Sequence, residues 1–246
     1  MSPHATFRTR IKICGLTREE DVDAAVSAGA DAVGFVLYEA SPRFVSASRA
    51  AELARRLPPF VTPVLLFVNE SAIKVIAACE LITGALLQFH GDETLDDCLA
   101  TGRPFIRAAR IPLVPDGGAS HPPFNLVKFA NIFSAAQAIL LDAHVEGFGG
   151  GGKTFNWSQL PPNVNAHLVL SGGLTPANVA DGILQLRSRG KSLAVDVSSG
   201  VEETSATGGA LKGIKSFEKI SQFVAAVRAA DALLVRNHAT LPTTGR

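Results

Sequence analysis

Short apolar runs alternate with helix-like stretches along this chain from residue 10 onward. Each run breaks at a polar or glycine-bearing segment, and the eight breaks fall near Cys14, Leu37, Val68, His90, Arg107, Asp142, Leu170 and Val197. The third and fourth runs are almost continuously apolar, as expected for parallel strands that are buried on both faces. Intervals of about 20 to 35 residues between the runs predict a repeated strand–helix unit.

Eight strand–helix units in a chain of 246 residues predict an α/β fold, a single (β/α)8 TIM barrel. An open, doubly wound sheet is the alternative arrangement. We expect the barrel to span residues 10–235, after an N-terminal extension at residues 1–9 and before a disordered tail at residues 236–246. The prolines and glycines between residues 112 and 123 predict that the fifth helix is degraded or missing.

Local signals mark several helix boundaries. Thr17 and Glu20 have the spacing of a capping box, and Gly29 is placed to end the first helix. Ser46 is a candidate N-cap for the second helix, and Thr175, which precedes a proline, is one for the helix after the seventh strand. The last helix shows an apolar stripe made of Phe217, Ile220, Phe223, Val224 and Val227.

The composition favours a small-molecule partner. Lys and Arg number 23 against 22 Asp and Glu, so the formal net charge is only +1, and no basic cluster indicates a nucleic-acid surface. The first six residues lack the apolar core of a signal peptide, and no apolar run reaches the roughly 18 residues of a membrane span. We therefore expect a cytoplasmic protein with neither a nucleic-acid nor a membrane partner.

Cysteine and histidine spacing indicates neither a disulfide framework nor a metal site. The chain has three cysteines without a C-x-x-C pair and six histidines without ligand spacing. Cys79 and Cys98 lie in helical patterns and are expected in the core. Cys14 differs, because it ends the first strand, precedes a glycine turn and lies near a predicted helix N-terminus that would favour a thiolate. A buried structural cysteine is the alternative at this position.

The sixth strand ends on Asp142 and is followed by a glycine-rich loop. Residues 147–154 match the G-x-x-x-x-G-K-[ST] pattern that cradles nucleotide phosphates. A phosphate loop of that class opens a helix, whereas Pro161 and Pro162 follow too soon for a helix of useful length. An active-site loop with Asp142 at its base is the preferred interpretation, and a plain surface loop is the alternative.

Other residues occupy places where a barrel of this type binds ligands. Arg43 lies on the loop after the second strand and has the planar fork that holds a carboxylate in one orientation. His90 ends the fourth strand, where a structural hydrogen bond and a ligand contact are both open interpretations. Glycine-bearing loops follow the seventh and eighth strands, and in such barrels these loops bind phosphate through backbone N–H groups.

Eight short motifs occur together in a fixed order along the chain. They are Lys12 to Thr17, Ser41 to Arg43, Phe67 to Asn69, Gln88 to Asp92, Leu141 to Ala143, Gly152 to Phe155, Ser171 to Leu174 and Asp196 to Glu202. In this combination the chain resembles the phosphoribosylanthranilate isomerase family of tryptophan biosynthesis over nearly its whole length.

The resemblance implies an aldose–ketose isomerase, which is an intramolecular oxidoreductase. The reaction it implies is an Amadori rearrangement that needs neither a metal nor a cofactor. A phosphoribosyl anthranilate aminoaldose would become a deoxyribulose phosphate ketose, with Cys14 as the general base and Asp142 as the general acid.

The resemblance also implies which residues bind the phosphosugar substrate. Arg43 would hold the anthranilate carboxylate, and His90 and Asp196 match further active-site positions of the family. The phosphate would be held by Gly173, Ser199 and Gly200.

Several alternatives stay open at this point. Within the fold, they are a related phosphosugar isomerase or an enzyme that also accepts the histidine-pathway aminoaldose. Those relatives generally use two aspartates, so Cys14 disfavours them. From other classes, they are a nucleotide triphosphatase and a barrel that binds a phosphosugar without converting it. The chain could act as a monomer or a homodimer, and association with other tryptophan-pathway enzymes is also open.

Overall fold

A closed barrel of eight parallel strands forms the body of the molecule. The computed structural model describes residues 8–112, 124–143 and 156–239. The strands are β1 (Arg10–Cys14), β2 (Ala32–Val36), β3 (Thr62–Phe67), β4 (Leu86–Phe89), β5 (Phe105–Ile111), β6 (Ala138–Ala143), β7 (His167–Leu170) and β8 (Ser192–Val197). Each pairs with the next, and β8 pairs with β1. The predicted TIM barrel is confirmed, and the open sheet is wrong because β1 and β8 are not edges.

Helices connect the strands on the outside of the barrel. They are α1 (Glu19–Ala28), α2 (Ala47–Ala54), α3 (Ala72–Leu81), α4 (Leu95–Leu99), α5 (Leu126–Ile132), α6 (Val179–Leu186) and α7 (Phe217–Ala239). The weak fifth helix is present but only 7 residues long. In the described part of the connection from β6 to β7, a 3₁₀ helix at Trp157–Gln159 stands in place of a longer helix.

Side-chain alternation along the strands divides the core into two layers. Outward-facing strand residues pack under the helices, and Phe35 and Leu65 there are 0% exposed. Inward-facing residues fill the barrel, where Ile106, Leu140 and Val169 belong to one cluster. Because successive residues of a strand face opposite sides, a polar residue at an inward position lies inside the barrel.

Two of the predicted helix boundaries are confirmed. Gly29 ends α1 in the left-handed region with φ 92°, and its backbone N–H donates to the carbonyl of Val26. Glycine adopts this conformation without the steric cost that a Cβ brings. Ser46 caps α2, because its hydroxyl accepts a hydrogen bond from the backbone of Arg49 at 3.1 Å. Cys79 and Cys98 are buried, as predicted.

Two other predicted caps are not observed. The Thr17 hydroxyl donates to the carbonyl of Gly213 at 2.7 Å, so Thr17 contacts a segment that is distant in sequence instead of capping α1. The helix after β7 begins at Val179, four residues beyond Thr175. There the side chain of Asn178 accepts a hydrogen bond from the backbone N–H of Thr175 at 2.8 Å. A tertiary contact thus overrode the local signal at Thr17, whereas a local contact with Asn178 accompanies the later helix start after Thr175.

An antiparallel hairpin follows β8 and was not predicted from the sequence. It consists of β9 (Glu202–Thr204) and β10 (Ala210–Lys215). In its register Lys215 lies opposite Glu202, so the hairpin places two opposite charges side by side. The hairpin therefore brings a lysine back to the loop that follows β8.

The last helix, α7, is longer than predicted. It runs to Ala239, so the expectation of a disordered tail is wrong for residues 236–239, and residues 240–246 lie outside the described part. Most of its predicted apolar stripe is buried: Ile220, Phe223, Val224 and Val227. Phe217 is 60% exposed and does not belong to the stripe, because it lies at the first position of the helix.

A buried polar cluster lies at the end of the barrel where the strands begin. Asp231 of α7 accepts hydrogen bonds from the backbone and hydroxyl of Thr9 at 2.8 and 2.6 Å, and it pairs with Arg187 at 3.0 Å. We call Thr9, Arg187 and Asp231 the lower cluster. Nearby, Arg8 pairs with Asp31 at 2.6 Å. Residues 8 and 9 of the predicted extension thus pack against the barrel.

Candidate active site

Three ionisable side chains meet inside the barrel at the ends of β1 and β8. Lys12 and Cys14 are two residues apart on β1, so both face inward, and Asp196 on β8 is the cross-strand partner of Lys12. Lys12 Nζ lies 2.8 Å from Asp196 Oδ1, and both side chains are buried. The hydroxyl of Ser171 donates to Asp196 Oδ2 at 3.3 Å. The two predicted site residues, Cys14 and Asp196, therefore share an unpredicted neighbour, Lys12.

Cys14 is a buried thiol that is only 4% exposed. Burial raises the pKa of Cys14, while the charge of Lys12 opposes that effect. Helix α1 begins only at Glu19 and carries three acidic residues in its first turn, which oppose a thiolate nearby. The charges that favour ionisation of Cys14 are those of Lys12 and, to a smaller extent, Lys215.

Asp142 ends β6, which is separated from β1 by β7 and β8 around the barrel. Its Oδ2 lies 2.9 Å from His90 Nε2, and its Oδ1 accepts a hydrogen bond from the backbone of Ala143 at 3.0 Å. Gln88 Nε2 lies 3.0 Å from His90 Nδ1. Because an amide nitrogen only donates, Nδ1 accepts and Nε2 carries the proton that faces Asp142. The carboxylate is thereby fixed in one orientation.

The loop that carries His90 is held from both sides. Arg107 donates to the carbonyls of Gly91 and Glu93, each at 3.0 Å. Glu93 in turn accepts hydrogen bonds from the backbones of Asn69 and Gly91 at 2.7 and 2.9 Å. A Cβ on Gly91 would lie 2.3 Å from Asn69 Oδ1, so only glycine fits. These contacts give the His90 imidazole a rigid base.

The loops after β7 and β8 touch each other and expose backbone N–H groups. Gly173 adopts the left-handed conformation with φ 65°. A Cβ on Gly200 would lie 1.9 Å from the carbonyl oxygen of Leu174, so the two loops approach through bare backbone. The N–H groups of Gly173, Ser199 and Gly200 donate to no other described residue. Unused N–H groups converging from two loops are suited to an anion such as phosphate.

Arg43 belongs to a buried chain of charges. Its Nε and Nη2 donate to Glu202 at 2.6 and 2.9 Å, and Lys215 Nζ lies 3.2 Å from the same carboxylate. Burial alone would raise the pKa of Glu202, but Arg43 and Lys215 outweigh burial and lower it. Lys215 also donates to the carbonyl of Ser198 at 2.9 Å. Glu202 thus takes Nε–H and one Nη2–H of Arg43, and the other Nη2–H and both Nη1–H groups are not used in this contact.

All the site residues singled out in the sequence lie at the carboxyl ends of the strands or on the loops that follow. They are Cys14, Arg43, His90, Asp142, Gly173, Asp196, Ser199 and Gly200. Sequence reasoning missed four residues that contact them, namely Lys12, Gln88, Glu202 and Lys215. For the first two the available signal was a charged or amide side chain at an inward position of an apolar strand, two residues before a site residue.

Two other predictions concern ligands and surroundings. Within the described ranges, no group of three or more His, Cys, Asp and Glu is placed to hold a metal ion. No helix of the described residues is long and apolar enough to cross a membrane. The loop at 147–154, which has the nucleotide-phosphate pattern, lies outside the described residues.

The chain matches a known family over most of its length. The family model for N-(5'-phosphoribosyl)anthranilate isomerase matches residues 11–226. The N-(5'-phosphoribosyl)anthranilate isomerase of Methylibium petroleiphilum is 59% identical over 226 residues, which cover 92% of this chain and 97% of the relative.

Two solved structures of such isomerases are also similar to the chain. One is a monomeric form of the dimeric enzyme from Thermotoga maritima, with a TM-score of 0.71 and 32% identity over 90% of this chain and 100% of that one. The other, with the same TM-score, identity and coverage, is a phosphoribosylanthranilate isomerase in complex with reduced 1-(o-carboxyphenylamino)-1-deoxyribulose 5-phosphate. The chain therefore belongs to the N-(5'-phosphoribosyl)anthranilate isomerase family and is an isomerase of tryptophan biosynthesis.

Proposed function

We propose that the protein converts N-(5-phosphoribosyl)anthranilate into 1-(2-carboxyphenylamino)-1-deoxyribulose 5-phosphate by an Amadori rearrangement without a cofactor. One observation carries the mechanism. A thiol on β1 and a carboxyl group on β6 end their strands at the same mouth of the barrel, with two strands between them. An acid and a base in this arrangement can act on opposite sides of one sugar.

Asp142 is the general acid of the first step. Its carboxyl proton passes to the ring oxygen of the furanose while the nitrogen lone pair of the anthranilate forms the C1′=N bond. The C1′–O bond breaks, and the product is an open-chain Schiff base. His90 and Ala143 hold the carboxyl group in place through contacts of 2.9 and 3.0 Å, so the proton is delivered from a fixed position.

Cys14 is the general base of the second step. Its thiolate removes the proton from C2′, and the electron pair of that C–H bond forms the C1′=C2′ bond of an enolamine. The enolamine then tautomerises to the ketose. Reactant and product have the same atoms, so the sequence needs no external oxidant or reductant.

The two ends of the substrate are held on opposite parts of the mouth. Arg43 binds the anthranilate carboxylate through its Nη1/Nη2 edge, because Glu202 takes Nε–H and only one Nη2–H. The backbone N–H groups of Gly173, Ser199 and Gly200 bind the phosphate. His90 contacts the substrate beside Asp142, and Asp196 does so beside Lys12.

The turnover assay with Cys14→Ala tests this proposal. The wild-type protein should convert the aminoaldose. The loss of anthranilate fluorescence measures this conversion. Cys14→Ala should lower kcat by roughly two to four orders of magnitude, the usual worth of a positioned base. Cys98→Ala is the matched control, because Cys98 is also buried but lies on α4, outside the site. Near wild-type turnover by Cys14→Ala would remove the base from this mechanism.

We also propose that the protein works in the cytoplasm as a monomer or homodimer, alone or associated with other enzymes of its pathway. The dimeric state of the Thermotoga maritima enzyme supports the homodimer. Sedimentation equilibrium of the purified chain decides between the two states, since a mass near 25.8 kDa at all concentrations contradicts the dimer.

A further inference from the structure

Lys12 is a buried lysine whose place in the reaction is not explained by substrate binding. Lys12 is 5% exposed, and its ammonium lies inside the barrel. On β1 it is two residues before Cys14 and faces the same side of the strand. A lysine is almost never fully buried unless it is paired, and here the partner is Asp196. Moving a charged ammonium from water into the protein interior costs free energy, so a lysine kept at this position indicates a function.

Gly34 shows how closely Lys12 and Cys14 approach the same point. Cys14 pairs with Gly34 in the register of β1 and β2. A Cβ on Gly34 would lie 2.6 Å from Cys14 Sγ and 3.1 Å from Lys12 Nζ. The sulfur and the ammonium therefore occupy the space that any other residue at position 34 would fill. Both groups pack against the backbone of Gly34, which has no side chain.

Asp196 keeps Lys12 charged and oriented. Burial lowers the pKa of Lys12, but the charges of Asp196 and Cys14 and the hydrogen bonds to both groups together outweigh burial, and the pKa is raised. Asp196 has its own support, because Ser171 donates to the oxygen that Lys12 does not use. Lys12 is thus a fixed ammonium, and the remaining hydrogens of that ammonium are available to the neighbouring sulfur.

We propose that Lys12, oriented by Asp196, is a positioning residue that holds the Cys14 sulfur against Gly34 and stabilises its thiolate. The inference rests on the proposed role of Cys14 as the general base. In that step the C2′–H bond breaks and an S–H bond forms, while Lys12 stays an ammonium and transfers no proton. Its contribution is the attraction between a buried cation and the thiolate, which exists only while the sulfur is ionised.

The experiment measures the ionisation of Cys14 without any substrate. Wild-type protein and Lys12→Met are treated briefly with iodoacetamide across a pH series, and the modification of the Cys14 peptide is quantified by mass spectrometry. Methionine keeps the length of the side chain and removes the charge. The midpoint of the modification curve should move up by about one pH unit or more, because one unit corresponds to a tenfold change in ionisation. An unchanged midpoint in a folded Lys12→Met protein overturns the proposal.

A second variant guards against loss of folding. Lys12→Met leaves Asp196 buried without its partner, a situation that is strongly destabilising. The double variant Lys12→Met/Asp196→Asn removes both charges together. Because the charge of Asp196 itself raises the pKa of Cys14, the reference is the single variant Asp196→Asn, and the midpoint of the double variant should lie above that of Asp196→Asn. Lys12→Arg keeps the charge and should restore a midpoint close to the wild-type value. If the double variant has the same midpoint as Asp196→Asn, the proposal is overturned.

The pH dependence of kcat distinguishes this role from a purely structural one, because a structural lysine would not change that dependence. In Lys12→Met, kcat should fall about tenfold or more at neutral pH and recover as the pH rises towards the new midpoint, with little change in KM. A loss that is equal at every pH contradicts the role. Failure of the proposed function gives a different pattern, because an active Cys14→Ala enzyme would remove the base while the alkylation midpoints still report on Lys12.

Discussion

Buried ion pairs lie at both ends of the barrel. The two ends differ in how many hydrogen-bonding groups remain without a partner in the described protein. In the lower cluster, Asp231 accepts two hydrogen bonds from Thr9 and pairs with Arg187, so both its oxygens are occupied by protein. At the mouth, Arg43 gives Glu202 only part of its N–H groups, and the backbone N–H groups of Gly173, Ser199 and Gly200 donate to no described residue. The lower end therefore stabilises the fold, whereas the upper end keeps capacity for a ligand.

The largest test of this difference compares two buried aspartates. Asp142→Asn should lower kcat by roughly two to four orders of magnitude, because an amide supplies no carboxyl proton to the ring oxygen. Its Tm should fall less than that of a variant which removes the whole side chain, since the amide oxygen still accepts a hydrogen bond from His90 and only the contact with the Ala143 N–H is lost. Steady-state kinetics with the aminoaldose and a thermal melt of the same sample measure both effects.

Asp231→Ala is the matched variant at the lower end. It removes the carboxylate shared by Thr9 and Arg187, which should cost about 3 kcal/mol and lower Tm by roughly 6 to 12 °C. The kcat measured well below Tm should be unchanged. A large loss of turnover in Asp231→Ala, or a large loss of Tm in Asp142→Asn, would show that the two ends are not separated in this way.

Arg43→Ala should have the next largest effect, and mainly on KM. A charge-assisted hydrogen bond is worth about 1.5 to 3 kcal/mol, so KM should rise roughly 10- to 100-fold. The anthranilate carboxylate is distant from the bonds that change, so kcat should fall less. Michaelis–Menten analysis separates the two constants. If kcat alone collapsed, Arg43 would act on the chemistry and not on binding.

The smallest expected effect is on the free energy of unfolding at low pH. It is tested by comparing variants of Glu202 and Asp31. Burial opposes ionisation of both carboxyls, but hydrogen bonds and nearby cations outweigh burial and lower each pKa in the folded state. A lowered folded pKa gives stability that is present above the unfolded pKa and is lost as the pH falls through the folded one. The stability gap between wild type and Glu202→Gln or Asp31→Asn should thus shrink on acidification.

Urea titrations at a series of pH values between 7 and 3 measure that gap. Activity then distinguishes the two ends of the barrel. Glu202→Gln should raise KM because Glu202 holds Arg43, whereas Asp31→Asn should leave KM unchanged. A gap that stays constant with pH would mean that the lost stability comes from packing and not from the charge.

The strands could be predicted from the sequence because their signal is local. Each apolar run ends where glycine or polar residues begin, and observed strand ends such as Cys14 and Leu170 fall where the pattern placed them. Helix boundaries were less predictable. Thr17 has the right spacing for a cap, but its hydroxyl contacts the carbonyl of Gly213, which comes near only in the folded chain.

The supporting groups of the site could not be predicted because their partners are distant in sequence. Lys12 meets Asp196 only after β8 has closed the barrel onto β1, across 184 residues. Arg43 meets Glu202 across 159 residues, on a hairpin that carried no recognised pattern. For the same reason the environment of Cys14 was misjudged, since burial and a lysine decide its ionisation and neither is a property of the nearby helix.

The resting state of Cys14 has a consequence for the chemical durability of the protein. Peroxides and electrophiles attack exposed thiolates, whereas this sulfur is a thiol with a raised pKa and is 4% exposed. We expect a sulfur that is shielded by the barrel in this way to react slowly with such agents. The proposed mechanism would thereby use a soft, oxidisable atom for proton transfer while limiting the damage that usually accompanies reactive cysteines.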